Sequence, residues 1–265
     1  MDPADLPIVV RREMLDGGLV GHVTFNEPAR LNALGATRMT AFVEAMDALS
    51  AEDHLRAVVL RGAGERAFIG GADIDEMAGL NGPLAARAFI LRVHACCQAV
   101  RACPVPVIAA IHGFCLGAGL ELAAACDLRL ASEDARLGMP EVRLGLPSVV
   151  EAALLPQLVG WGQARRLVYL GETLDAAESL RIGLVEAVVA RDQLEARLRD
   201  WVAALLAAGP QAIRAQKALV RRWESLPPDA AIAAGVDTFE TSFAGEEPGR
   251  MLAAFQAQRH ARRKG

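Results

Sequence analysis

Short, mostly apolar segments alternate with stretches of helical periodicity up to residue 190, and this alternation limits the possible folds more than any other feature of the sequence. Residues 57–60, 105–111 and 128–131 have the length and composition of buried strands. Between them, residues 84–100 and 120–125 have the spacing of helices. Buried strands connected through helices predict an α/β core built from crossover units.

A hairpin and an amphipathic helix are predicted ahead of these units. Residues 8–12 and 19–25 have the composition of strands and flank the turn residues Asp16-Gly17-Gly18. Residues 37–49 carry their large apolar side chains three and four positions apart, which is typical of a helix that covers a sheet.

The strand patterns end near residue 190, and the rest of the chain is helical in period. Its helical segments are separated by Gly209-Pro210 and Pro227-Pro228, and they are residues 192–206, 210–223, 230–243 and 249–260. We therefore expect an α/β core in residues 1–191 that carries the active site, and a helical region in residues 192–265. The basic end of that region is expected to be a solvated tail.

The composition argues against several classes of protein. A chain of 265 residues that is 53% hydrophobic and 23% charged can bury a large core. Its formal net charge of -4 gives no support for nucleic-acid binding. Its five cysteines lack the spacing of metal ligands, which favours a reduced compartment and no structural metal. Because the N-terminus lacks the apolar core of a secretory signal and no apolar run could span a bilayer, a cytoplasmic protein without membrane contact is expected.

Three segments combine glycine with a possible catalytic group. In residues 68–74, two glycines precede a predicted helix whose first amide groups could stabilise a developing negative charge. In residues 112–122, a glycine-rich turn leads into an apolar helix with Glu121 in its first turn. The full dinucleotide-binding spacing G-x-G-x-x-G is absent from this turn. In residues 137–147, Glu141 follows a proline within a turn-rich segment.

Each glutamate also has a purely structural interpretation. Glu121 could be a surface carboxylate that interacts with a helix dipole, although apolar neighbours surround it and an unpaired buried carboxylate is costly. Glu141 could pair with Arg143 or lie at the start of a helix.

Taken in order, these segments resemble the enoyl-coenzyme A hydratase/isomerase (crotonase) superfamily, most closely its enoyl-CoA hydratases. Residues 26–34 (NEPARLNAL) look like its coenzyme A loop, and residues 67–77 (AFIGGADIDEM) look like its first oxyanion segment. Residues 112–121 resemble the second oxyanion segment, and residues 140–145 (PEVRLG) resemble the catalytic segment. Residues 155–160 and 176–185 extend the resemblance, which covers the chain from residue 8 onwards.

The resemblance implies a spiral of ββα units with a helical C-terminal region that forms trimers, two of which often make a hexamer. It assigns Glu121 and Glu141 to the two acid/base positions, and the backbone N–H groups of Ala72 and Ala118 to an oxyanion hole. The residues that it implies for contacts with substrate and coenzyme A are Arg30, Asn32, Ala33, Gly71, Asp73, Ile74 and Gly117. It implies no metal and no redox cofactor, because coenzyme A is part of the substrate.

The presence of both acids implies an enoyl-CoA hydratase of fatty acid metabolism, which adds water to a trans-2-enoyl-CoA to give a 3-hydroxyacyl-CoA. By analogy, Glu121 activates the water and Glu141 supplies the α-proton. Superfamily members that isomerise their substrate often keep only one of these acids, so an enoyl-CoA isomerase or another acyl-CoA lyase is the alternative on the same fold. A non-catalytic coenzyme A-binding protein is the alternative from another class, and the retained pair of acids argues against it.

The sequence departs from the family pattern at two places. Residues 146–153 (LPSVVEAA) replace a glycine-rich turn, which predicts an altered acyl pocket and adds Glu151, expected to be a helix N-terminal acid. Asp75 stands where members often have a lysine near the coenzyme A phosphates, so Arg30, with the basic C-terminus of a neighbouring subunit, is expected to make that contact. His94 and His112 are expected to have structural roles.

Overall fold

The structure, a computed structural model, describes residues 6–262. Residues 1–5 and 263–265 lie outside this range. The ends of the predicted regions 1–191 and 192–265, including the last charged residues of the basic C-terminus, therefore lie outside the described residues. No helix within residues 6–262 is both long and apolar enough to cross a bilayer.

Ten strands form two sheets within the described residues. In chain order they are β1 (Ile8–Leu15), β2 (Gly18–Phe25), β3 (Leu55–Gly62), β4 (Ala67–Ile69), β5 (Val107–Ile111), β6 (Phe114–Leu116), β7 (Leu128–Ser132), β8 (Arg136–Gly138), β9 (Thr173–Asp175) and β10 (Ala187–Val189). The larger sheet has the order β1-β2-β3-β5-β7-β10, and its pairs are parallel except for the predicted hairpin of β1 and β2. The smaller sheet has the order β4-β6-β8-β9, and its pairs are parallel except for β8 and β9.

Most helices of the described range follow predicted segments, with boundaries that differ by a few residues, whereas those at Leu155–Leu170 and Ala176–Arg181 were not predicted. The helices are α1 (Ala36–Ser50), α2 (Ile74–Ala78), α3 (Gly82–Ala102), α4 (Ala118–Ala125), α5 (Leu155–Leu170), α6 (Ala176–Arg181), α7 (Leu194–Ala207), α8 (Pro210–Trp223), α9 (Pro228–Ser242) and α10 (Glu247–Arg262). Short 3-10 segments at Pro28–Arg30, Pro140–Leu144, Val150–Leu154 and Arg191–Gln193 connect them.

The chain passes from the larger sheet to the smaller sheet and then into a helix, and it repeats this path. One turn consists of β3, β4 and α2–α3, the next consists of β5, β6 and α4, and β7 and β8 begin a third. This is the predicted spiral of ββα units, and the fold class is confirmed. Because β4, β6 and β8 are parallel neighbours, the segments that follow them meet at one edge of the smaller sheet. Residues 70–73, 117–121 and 139–145 are thereby brought together.

Both faces of the larger sheet are covered, which explains the nearly continuous apolar segments in the sequence. In β3, Val58 and Leu60 belong to the core cluster that includes residues of α1, α3 and α4, whereas Ala57 and Val59 belong to a second cluster. α7 supplies buried residues to that second cluster, namely Leu194, Leu198 and Val202. The helical region after residue 191 therefore begins as part of the core.

A buried lysine attaches α8 to the core. Lys217 is 7% exposed, and its ammonium group donates to the carbonyl oxygens of Val100 (3.3 Å) and Val105 (2.8 Å) and to the Asp127 carboxylate (2.7 Å). The same carboxylate accepts the backbone N–H of Val107 at 2.7 Å. This network joins α8 to the end of α3 and the start of β5, whereas α9 and α10 extend beyond it with few buried side chains.

Candidate active site

A cavity opens at the edge of the smaller sheet where the three glycine-containing segments meet. It is lined by Gly70, Gly71, Ala72, Ile74, Met77, Phe89, Ile90, Val93, Leu116, Gly117, Ala118, Glu121, Pro140, Glu141, Leu144, Leu146, Pro147 and Val149. Among these described lining residues, only Glu121 and Glu141 have ionisable side chains. An apolar cleft with two converging acids fits general acid/base chemistry on an uncharged group.

Glu121 lies in the first turn of α4, a helix whose residues are all buried. Its side chain is 3% exposed, so the interpretation as a surface carboxylate is wrong. The backbone N–H groups of Val149 and Ala152 donate hydrogen bonds to its carboxyl group. The pKa of Glu121 is raised to about 8, first by burial and then by the negative charges of Glu141 and Glu151, against the effect of the two amides.

Glu141 lies in the 3-10 segment that follows β8 and lines the same cavity. The Ser148 hydroxyl donates to its Oε2 at 2.8 Å, and the Leu146 N–H donates to its carbonyl oxygen at 3.1 Å. Arg143 does not pair with it, and instead donates a long hydrogen bond of 3.5 Å to the Leu170 carbonyl. Glu141 is therefore oriented by a hydroxyl group and not by an ion pair.

The turn at Gly117 brings α4 and Glu141 into contact. Gly117 has φ 51° and ψ -121°, a conformation that favours glycine, and it directly precedes the first residue of α4. A Cβ atom at this position would lie 2.4 Å from Glu141 Oε1. The carboxylate thus occupies the space that the missing side chain leaves free.

Two backbone amides are available beside the acids. Leu34 donates to the Gly71 carbonyl (2.8 Å) and accepts from the Asp73 N–H (3.1 Å), so the N–H of Ala72 between them points away from Leu34. Among the described residues, no hydrogen bond uses the N–H of Ala72. Ala118 is the first residue of α4, where an N–H group has no partner within the helix. Both residues line the cavity, as an oxyanion hole requires.

Asp73 and Arg30 lie outside the lining of the cavity. Asp73 is 3% exposed and caps α2 by accepting the N–H groups of Asp75 (3.0 Å) and Glu76 (3.2 Å). Arg30 donates to Asp73 at 3.0 Å and also contacts the Asp75 carboxylate. A phosphate group that binds Arg30 would therefore have to share it with two carboxylates.

Asn32 is fully buried, and its side chain holds the loop before α1. It accepts the N–H of Glu27 (2.9 Å) and donates to the carbonyl oxygens of Ala63 (3.0 Å) and Ala67 (2.9 Å). The carbonyl group of the neighbouring Ala33 accepts a hydrogen bond from Arg38. Neither residue lines the cavity, so a contact of this loop with a ligand would involve its backbone.

The segment at residues 146–153, which departs from the family pattern, holds groups that sequence reasoning missed. It supplies the Ser148 hydroxyl to Glu141 and the amides of Val149 and Ala152 to Glu121. Val150 between them has φ 39°, an unfavourable conformation for a β-branched residue. The only sequence signal for these contacts was the departure itself.

Glu151 and the histidines are also placed by the structure. Glu151 is in the first turn of a 3-10 segment, as a helix N-terminal acid would be, but its side chain is buried and accepts hydrogen bonds from His94 (2.9 Å) and Gln98 (3.0 Å). His112 is 6% exposed and does not line the cavity. Within residues 6–262, no group of three or more His, Cys, Asp or Glu residues could hold a metal ion.

Comparison with known proteins gives a consistent result. The family model described as enoyl-CoA hydratase/isomerase matches residues 17–264. The short-chain-enoyl-CoA hydratase of Clostridium acetobutylicum is 35% identical over 243 residues, which cover 91% of this chain and 93% of the relative. The crotonyl-CoA hydratase of Syntrophomonas wolfei is 34% identical over 237 residues, which cover 89% and 91%. The crystal structure of an enoyl-CoA hydratase from Bacillus anthracis superimposes with a TM-score of 0.90 at 30% identity and covers 96% of this chain and 97% of that one.

Proposed function

The chain belongs to the enoyl-CoA hydratase/isomerase family, and on that premise we propose that it is a hydro-lyase that reversibly adds water to a trans-2-enoyl-CoA to give a 3-hydroxyacyl-CoA. Relatives named short-chain-enoyl-CoA hydratase and crotonyl-CoA hydratase support a hydratase. The observation that carries the proposal is the meeting of Glu121 and Glu141 in one apolar cavity beside two available amides.

The N–H groups of Ala72 and Ala118 bind the thioester oxygen in this mechanism. When water attacks the β-carbon, negative charge develops on that oxygen as an enolate forms. Amides fixed in an apolar cavity stabilise the charge without having to reorganise, and each is worth about 2.7–4 kcal/mol. Coenzyme A enters as part of the substrate, and the chemistry itself needs formation of the bond between the water oxygen and the β-carbon together with two proton transfers.

The two carboxyl groups share one proton. One carboxylate takes a proton from the attacking water while the other carboxyl group gives its proton to the α-carbon, so the pair is restored after one proton passes back between them. Because burial raises the pKa of Glu121 to about 8, Glu121 holds this proton in the free enzyme. The family analogy gives the proton to Glu141 in the reacting complex. For both of these proton positions to hold, the proton passes from Glu121 to Glu141 through the bound water as the substrate enters.

A spectrophotometric assay tests the proposed reaction. Purified protein with a short 2-enoyl-CoA is expected to remove the absorbance of the conjugated thioester and to form 3-hydroxyacyl-CoA. Conversion of a 3-enoyl-CoA to a 2-enoyl-CoA without hydration would instead support the isomerase alternative. Binding of coenzyme A without turnover of either substrate would support a non-catalytic protein.

The contact between Ser148 and Glu141 gives a first prediction. Ser148→Ala is expected to lower kcat/KM for hydration roughly two- to tenfold, because a hydrogen bond that orients a carboxylate contributes about 0.5–1.5 kcal/mol. Steady-state kinetics would measure the change. Ser225→Ala is the matched control, since that hydroxyl donates only to the Arg222 carbonyl at 3.3 Å in an exposed turn. Unchanged kinetics in Ser148→Ala would mean that Glu141 is held by other contacts.

The C-terminal helices support a proposed trimer, with a hexamer formed from two trimers. On α9 and at the residue that follows it, apolar side chains spaced by three and four residues are largely exposed, namely Ile232, Val236, Phe239 and Phe243. α10 exposes a further apolar set, namely Met251, Leu252 and Phe255. A contiguous exposed apolar face of this kind marks an interaction surface, and family members supply the expected occupant, a second copy of the chain.

A charge on this face is expected to break the assembly. Phe239→Asp should shift the protein to a smaller species, because the interface would have to bury an unpaired carboxylate. Native mass spectrometry or light scattering after size exclusion would measure the mass. Met14→Asp, which changes an apolar residue that is 65% exposed on β1, should leave the mass unchanged. A monomeric wild-type protein would contradict the proposed trimer.

A further inference from the structure

Behind the cavity, Glu151 forms a buried polar cluster with two residues of α3. It is 5% exposed, and its Oε1 accepts hydrogen bonds from His94 Nδ1 at 2.9 Å and from Gln98 Nε2 at 3.0 Å. Its Oε2 is buried and has no hydrogen-bond partner within the described part of the chain. An unpaired buried carboxylate oxygen is costly, so its position requires an explanation beyond folding stability.

The short turn at residues 149–152 contains Glu151 and also contacts the side chain of Glu121 on α4. The amides of Val149 and Ala152 donate to the Glu121 carboxyl group, while the side chain between them at position 151 extends to α3. Val150 has φ 39° in the middle of this turn. Strain of this kind persists only where the surroundings enforce it, and it is concentrated at functional sites.

We propose that Glu151 is a positioning residue that acts through Glu121: its buried carboxylate, held by His94 and Gln98, keeps the proton of the active-site pair on Glu121 in the free enzyme. This inference rests on the proposed hydratase function and adds a third acid to its site. Glu151 does not line the cavity, and so it does not touch the substrate.

The physical reason is repulsion between like charges in an apolar surrounding. When Glu151 is ionised, ionisation of Glu121 places a second negative charge nearby with little water to screen it. The pKa of Glu121 is accordingly raised to about 8, by burial first, then by Glu141 and then by Glu151.

The titratable groups that surround Glu151 include two thiols and one imidazole on α3. From α3, Cys96 and Cys97 interact with Glu151, but burial raises the pKa of Cys96 to about 12 and that of Cys97 well above its ordinary value, so both thiols stay neutral. Among the described residues, His94 is the only basic residue that pairs with Glu151, and its side chain is 43% exposed to solvent. α4 contributes Glu121 itself, and the segment after β8 contributes Glu141.

The pH dependence of kcat/KM tests this role, because it reports the free enzyme. In the wild type, activity is expected to fall as the pH rises through about 8, where Glu121 loses its proton. Glu151→Gln keeps the shape of the side chain and an oxygen that can accept from His94, but it removes the charge. The fall in activity at high pH, which is the basic limb of the pH profile, should therefore move to lower pH by roughly 0.5–1 unit. KM for the substrate should change little, since the residue does not reach the cavity.

Two further variants separate an electrostatic role from a structural one. Glu151→Asp retains the charge and should restore the limb toward its wild-type position. Glu133→Gln makes the same chemical change at an exposed residue and should leave the limb unmoved. A lower kcat in Glu151→Gln with an unmoved limb, or an equal shift in Glu133→Gln, would overturn the inference.

A variant at the exposed end of the cluster covers the case in which Glu151→Gln does not fold. His94→Gln keeps a hydrogen-bond donor for Glu151 and cannot add a positive charge beside it, so the limb should stay or move to higher pH. A downward movement would contradict the proposal. A wild-type protein that does not hydrate any 2-enoyl-CoA would contradict the proposed function itself. An active enzyme whose basic limb stays at the same pH in Glu151→Gln would contradict only this inference.

Discussion

Replacing Glu121 by glutamine is expected to lower kcat for hydration of a short 2-enoyl-CoA by a factor of about 10²–10⁴, because the variant loses one member of the acid/base pair. KM should change little, since the amides of Ala72 and Ala118 remain. Glu141→Gln should have an effect of similar size. The double variant should lose less than the product of the two single effects, because the carboxyl groups act as a unit.

Steady-state and single-turnover kinetics would measure these losses, with Glu133→Gln as the control for removing a surface carboxylate. If either glutamine variant retained wild-type turnover, the pair could not be the acid and base, and the proposed mechanism would fail. A large rise in KM with kcat unchanged would instead make the glutamate a binding residue.

The same substitution should increase stability above neutral pH. The pKa of Glu121 is about 8 in the folded protein and ordinarily near 4.5. Between these two pH values the unfolded chain has released this proton, whereas the folded chain still holds it. Wild-type stability contributed by this group is therefore fully present below pH 4.5 and is lost as the pH rises through about 8. Glu121→Gln removes that loss, which is on the order of a few kcal/mol.

Urea unfolding at pH 5 and at pH 8.5 would measure this difference. Compared with the wild type, the variant should have a larger free energy of unfolding at the higher pH, and the difference should be much smaller at the lower pH. An equal difference at both pH values would show that burial does not hold the proton on Glu121. Such an exchange of stability for activity is common at active sites that bury charge.

Gly117→Ala is expected to lower kcat by about 10²-fold or more, because the added Cβ would lie 2.4 Å from Glu141 Oε1 and force the carboxylate out of place. Alanine also disfavours the backbone angles of this residue, φ 51° and ψ -121°, at a cost of about 1–3 kcal/mol. The turn that presents the Ala118 N–H would shift with it. Kinetics and thermal unfolding would measure the two effects separately.

Gly82→Ala is the matched control for this prediction. Gly82 also has a positive φ, of 83°, but no atom lies within 4 Å of the Cβ that alanine would add. It should show a similar cost in unfolding free energy with activity little changed. Equal losses of activity in the two variants would mean that general destabilisation, and not displacement of Glu141, causes the effect.

Local sequence patterns were sufficient for the hairpin, for β3, β5 and β7 and for most of the helices, but not for the smaller sheet or for α5. Residues 57–60 could be assigned to a buried strand because their apolar side chains alternate between two covered faces, and β3 has Val58 and Leu60 on one face and Ala57 and Val59 on the other. The hairpin and the helical C-terminal third follow from turn residues and period in the same way. The positions of Glu121 and Glu141 were predictable because each lies beside glycine in a recognisable segment.

Side-chain partners could not be predicted, because they join segments that are distant in the chain. Asn32 and Asp73 were expected to contact the ligand, yet their side chains hold the loop before α1 and cap α2. Ser148 and Glu151 are ordinary residues in an atypical segment until folding brings them against Glu141, His94 and Gln98. No periodicity in the sequence reports such contacts.

By itself the sequence determined the alternation of buried strands and helices and the three glycine-containing segments, since apolar period, glycine and proline act over a few neighbouring residues, whereas the spiral of ββα units was implied only by the family resemblance. The tertiary structure alone decided which groups surround the two acids, how deeply Glu121 is buried and where its proton is held. The reason is that burial and electrostatic repulsion depend on distances through space, and the two acids that repel Glu121, Glu141 and Glu151, lie 20 and 30 positions further along the chain.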